Sequence, residues 1–116
     1  MSSIQLATIN SSTTGIAVPQ VRACASFFYT NGAVNINTSY NIASIVRNTA
    51  GNFTVTFTKP LAANYVVTTG FTRASNTGDM VNVYSPSTTK VNLEFWSGSV
   101  TTDPPAYPGI MFTIVY

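Results

Sequence analysis

Between Asn52 and Phe57 the apolar residues Phe53, Val55 and Phe57 alternate with Asn52, Thr54 and Thr56. A period of two is what a strand with one buried and one wet face requires. Just upstream, Ala50-Gly51-Asn52 supplies the left-handed backbone of a hairpin turn, and Ile42 to Arg47 becomes the partner strand. A one-residue slip would turn all three large side chains into water, at roughly 2 kcal/mol each. The pattern therefore fixes register locally and makes this hairpin the nucleus of a sheet.

The flanking chain reads the same way. Gln20 to Tyr29 places Val21, Ala23, Ala25 and Phe27 on one face and Arg22, Cys24, Ser26 and Phe28 on the other, and Asn31-Gly32 turns the chain back into Ala33 to Asn37. Lys59-Pro60 ends the central hairpin, Tyr65 to Thr72 forms a further strand, and Ala74 to Gly78 is a loop. Met80 to Tyr84 and Lys90 to Trp96 make a second meander through Ser85-Pro86-Ser87-Thr88, with Val81 and Val83 answered by Val91, Leu93 and Phe95. The segment Gly98 to Gly109 is a long irregular loop carrying three of the six prolines. Ile110 to Tyr116 is apolar on both faces, as an internal strand or a subunit interface would be. No sustained helical period is present, and turn residues punctuate the chain every eight to twelve positions or so. The expected fold over residues 20 to 116 is an all-β antiparallel sandwich of about eight short strands. Residues 1 to 19, with isolated Ile4, Leu6, Ile9, Ile16 and Val18, read as an extended N-terminal arm for attachment or subunit exchange; a frayed terminus is the alternative.

A chain of 116 residues supports one core. Charged residues are 7%, against about a quarter in ordinary soluble domains, and Ser, Thr and Asn supply most of the polar surface. A surface so weakly charged favours association, so a symmetric homo-oligomer is expected. The net charge of +2 comes from the scattered Arg22, Arg47, Lys59, Arg73 and Lys90, which do not form the cluster that nucleic acid demands. The N-terminus shows neither the basic nor the apolar region of a signal peptide, and no stretch approaches the roughly 18 apolar residues of a membrane span. The single Cys24 cannot close an intrachain disulfide.

The chain has no His, which removes the usual general base and the commonest metal ligand together. Its three acids are Asp79, Glu94 and Asp103. Asp79 and Asp103 fall in turn or loop contexts where Asp ordinarily caps or solvates, and Glu94 belongs to the wet face of its strand. No catalytic residue, metal site or cofactor is expected. Binding remains, and several aromatic residues fall on the polar phase of strands or in loops. Trp96 and Tyr107, flanking the proline loop with Asp103, are candidate receptor or glycan contacts, since an aromatic face stacks on the apolar face of a sugar. Phe28, Tyr84 and Tyr116 are candidate subunit-interface residues, as aromatic side chains are enriched there.

The pieces Phe27-Phe28, Asn31-Gly32, Ser39-Tyr40-Asn41-Ile42-Ala43-Ser44-Ile45, Gly51-Asn52-Phe53-Thr54-Val55-Thr56-Phe57 and Asn64-Tyr65-Val66-Val67 occur in that order. Together they resemble a domain found in bacteriophage tail-fibre and related virion proteins, usually at the C-terminal end. The resemblance implies a non-enzymatic homotrimer on the exterior of a phage particle, made in the host cytoplasm and in contact with other virion proteins and a host-surface glycan or receptor. In such fibres the domain follows a long shaft, whereas about twenty residues precede it here. A small fibre or tip protein and a capsid decoration (cement) protein are therefore both open. A free lectin-like carbohydrate-binding protein is the third possibility.

Overall fold

The structure, a computed structural model, describes residues 19–72, 79–104 and 109–116. The arm residues Ile4, Leu6, Ile9, Ile16 and Val18 and the candidate contact Tyr107 lie outside the described residues. Within them the chain forms nine strands: β1 (Val21–Thr30), β2 (Ala33–Tyr40), β3 (Ile42–Thr49), β4 (Asn52–Phe57), β5 (Val66–Thr72), β6 (Asp79–Tyr84), β7 (Lys90–Ser97), β8 (Val100–Thr101) and β9 (Gly109–Val115). All pair antiparallel in two sheets, ordered β2-β1-β9-β5 and β3-β4-β7-β6, with β8 added beside β7.

Three hairpins sit where turn chemistry puts them. Asn31 and Gly32 both take positive φ, 53° and 74°, the backbone of a two-residue turn matched to strand twist. Gly51 does the same for β3 and β4, and Ser85 to Thr89 joins β6 to β7. Alternation then sends Ala23, Ala25 and Phe27 from β1, Phe53, Val55 and Phe57 from β4, Val91, Leu93 and Phe95 from β7, and Ile110, Phe112 and Ile114 from β9 into one buried cluster between the sheets. Phe27 meets Phe53 edge to face across that core at 5.3 Å between ring centroids. Each such side chain contributes about 1.5–3 kcal/mol by leaving water.

Four readings of the sequence change. The segment from Gly98 onward is not wholly irregular, because Val100 and Thr101 pair with Ser97 and Trp96. That two-residue strand takes over the edge of β7 where β4 ends: β4 reaches only to Asn52 opposite Glu94. Val21, expected on the buried face, is 50% exposed, since the ladder with β9 shifts between Val21 and Ala23. β9 is internal, lying between β1 and β5, yet among the described residues its second face is not covered, and Met111 is 39% exposed there. Asp103 neither caps nor solvates, as described next.

Candidate functional site

One end of the sandwich is closed by a polar clamp. Arg47 lies in phase with the buried Ile45 on β3, opposite Phe53, so its guanidinium comes to the mouth of the core and stacks over the Tyr29 ring at 4.7 Å. Its Nε and Nη2 donate to Asp103 Oδ1 and Oδ2 at 2.9 and 3.1 Å, a bidentate pair of the strong kind. The Gly51 N–H donates to the same Oδ1 at 2.9 Å. Next in the chain, Pro104 is fully buried and its carbonyl accepts from the Tyr29 N–H at 3.2 Å. Asp103 and Pro104 together tie the segment after β8 to both sheets, and both Asp103 oxygens are engaged within the molecule.

Partial burial pushes the Asp103 carboxyl up, but the hydrogen bonds from Arg47 and Gly51 and the Arg47 charge outweigh it and hold the group below the ordinary carboxylate range. A depressed folded pKa means that the clamp's contribution is complete above about pH 4, where the unfolded carboxyl is ionised. It is lost as pH falls through the folded value. Because the pair is a quarter to a third exposed, solvent screening keeps the effect modest. The gap in melting temperature between the parent and Asp103→Asn is expected to be widest near neutral pH and to shrink below pH 4. Melting curves taken from pH 7 down to pH 2 check this.

The outer face of the β3-β4-β7-β6 sheet carries a different display. Asn92, Glu94 and Trp96 alternate with the buried Val91, Leu93 and Phe95 on β7, and pairing sets Tyr84 beside Asn92, Asn82 and Asn52 on either side of Glu94, and Met80 beside Trp96. The Tyr84 hydroxyl donates to Asn52 Oδ1 at 2.7 Å, and Asn48 Nδ2 donates to the same oxygen and to Thr54 Oγ1 at 3.2 and 2.8 Å. Asn82 Nδ2 donates to Glu94 Oε1 at 3.2 Å. These bonds orient Asn52 and Glu94, while the sheet keeps the row of Asn92, Glu94 and Trp96 on its outer face.

The outer face of the β2-β1-β9-β5 sheet is uncharged along its middle. Register gives two transverse rows, Thr68–Thr113–Cys24–Tyr40 and Gly70–Met111–Ser26–Thr38. The small side chains of those rows leave a groove of about 310 Å³ lined by Cys24, Ser26, Thr38, Thr68, Gly70 and Met111. Exposed Val66, paired with Val115, and Tyr40 border it.

The residues singled out in the sequence are thus distributed over separate surfaces. Trp96 is half-buried on the outer face of β7, whereas Asp103 is drawn under the β3–β4 turn. Phe28 is on the outer phase of β1, next to Gly109. Tyr84 is on the opposite sheet, and its hydroxyl is bonded within the chain. Tyr116 stands at the end of β9 with Arg22 stacked 4.4 Å over its ring, and its hydroxyl accepts from the Ala62 N–H at 3.0 Å. Sequence reasoning missed Arg47 as a clamp, although a lone Arg in phase with Ile45 signals a need for a carboxylate. It also missed the grouping of Glu94, Asn82 and Asn52 around Trp96 and Tyr84, which depends on pairing between distant strands.

These features define a two-sheet antiparallel β protein with one outer face uncharged along its middle and the other rich in amides. No family model, curated protein or solved structure matches the chain.

Proposed function

We propose that the chain is a non-enzymatic structural module on the exterior of a bacteriophage virion, a small tail-fibre or tip-type homotrimer that contributes to host-surface binding. The observation that carries the reading is the outer face of the β2-β1-β9-β5 sheet. An exposed, uncharged sheet face with Met111 39%, Tyr40 59% and Val66 59% accessible is surface that a partner ordinarily covers. Copies of the same chain are the economical partner for a neutral face, because no charge complementarity has to be supplied. Trimerisation through this face leaves the amide-rich face of the other sheet outward, where a host surface would be met. The N-terminal residues 1 to 19 then serve to attach the module to other virion proteins.

The test is the mass of the full chain in solution by light scattering. Three chain masses are expected, and Met111→Glu, which sets a charge in the middle of the neutral face, is expected to give one chain mass with a melting temperature within a few degrees of the trimer-incompetent baseline set by dilution. A monomer at every concentration, or a trimer indifferent to the substitution, would contradict the assignment of this face.

A further inference from the structure

We infer that the outer face of β4, β7 and β6 is a binding site for a neutral sugar, a hexopyranose or its N-acetylated form, with Trp96 as the stacking platform and Glu94, Asn82, Asn52 and Asn92 as its polar partners. This deepens the host-binding reading and rests on it only for the source of the sugar.

A wet strand face makes few demands on its residues. Thr, Asn and Ser suffice to solvate it, yet the chain's single Trp and a Tyr stand here. A planar aromatic beside neutral hydrogen-bonding groups matches a pyranose, which has an apolar C–H face and a rim of hydroxyls. Glu94 is the second observation. It is one of three acids in the chain, it sits mid-strand, and Arg47–Asp103 is the ion pair formed among the described residues. Its Oε1 accepts from Asn82, and Oε2 remains to accept from a sugar hydroxyl. Asn52 has its oxygen occupied by Tyr84 and Asn48, so its outward group is the Nδ2 donor. Carboxylate acceptor and amide donor lie side by side across the β4–β7 pair, about 5 Å apart at strand spacing, which suits two neighbouring hydroxyls.

Position along β7 sets the size. Asn92, Glu94 and Trp96 are two residues apart, about 6.8 Å per step, so one ring over Trp96 reaches Glu94 and a second unit extends toward Asn92 and Tyr84. Charge sets the class. Glu94, which has no cationic partner among the described residues, repels a carboxylated or phosphorylated sugar, and the one cation on this strand, Lys90, lies four residues away at its far end.

The experiment is an array of neutral, N-acetylated and acidic glycans probed with the full-length chain, followed by titration of the best neutral glycan against Trp96→Ala, Glu94→Gln and, as a control at an exposed position beyond the other end of β4, Lys59→Gln. Binding to neutral glycans is expected, reduced at least tenfold by Trp96→Ala and several-fold by Glu94→Gln, with Lys59→Gln unchanged. Because Trp96 is half-buried, melting curves accompany each variant, and Glu94→Gln keeps the test alive should Trp96→Ala unfold. Binding of acidic glycans alone, no glycan binding, or equal binding by folded Trp96→Ala and Glu94→Gln would overturn the inference. Adhesion of the parent chain to host cells in any of those cases would leave the host-binding reading standing with a different site.

Discussion

Phe53→Ala is expected to lower stability by about 4 kcal/mol, the range for emptying a fully buried aromatic site. Phe53 is 0% exposed and sits where the two sheets meet, 5.3 Å from Phe27 and 6.2 Å from Tyr29 between ring centroids. Removal would leave a cavity bounded by rigid strands of both sheets that cannot collapse without breaking the β4 ladders to β3 and β7. The loss corresponds to a fall in melting temperature of roughly 15 °C for a domain of this size. Thermal or urea denaturation of the variant measures it. A loss below 1 kcal/mol would show that the sheets do not pack against each other through this side chain.

Gly51→Ala is expected to cost about 3 kcal/mol, from two sources that act at one atom. The positive φ of 74° is strained for any residue with a Cβ, by about 1–2 kcal/mol. The added methyl would also lie 2.5 Å from the Thr102 carbonyl oxygen and 2.7 Å from that of Phe95, and overpacking against backbone costs a further 1–3 kcal/mol or so. Those carbonyls cannot swing away, because Phe95 accepts from the Thr102 N–H at 3.0 Å and donates its own N–H to Gly51 at 2.8 Å. The same substitution at Gly32, whose side-chain direction is open, carries the conformational cost alone. Comparing the two by denaturation separates strain from collision; equal losses would contradict the packing at Gly51.

That contrast shows what the sequence could carry. Asn31-Gly32 and Ala50-Gly51 mark turns by backbone chemistry local to each, and Phe53, Val55 and Phe57 mark a buried face by spacing alone, so the hairpins and the all-β architecture were legible. Nothing local says that β9 inserts between β1 and β5, or that β7 pairs with β4, since neutral alternating strands are interchangeable until packed. β8 escaped notice because two residues hold no period. Asp103 was read from its neighbours as a capping or solvated acid, but its partner Arg47 is 56 positions away. The amide-rich outer face was hidden likewise: the phase of Glu94 and Trp96 was visible on β7, while their meeting with Asn82, Asn52 and Tyr84 is a product of register. Cys24, which its spacing puts on the face of β1 opposite Ala23 and Ala25, is half-buried and lines the groove on the neutral sheet face.

The most direct test of the account is immunogold labelling of purified particles of the phage that carries the gene. Gold at the tail or its tip is the expected result. Gold spread over the head shell would replace the fibre role with decoration of the capsid, and particles free of gold alongside soluble protein would contradict a virion role altogether.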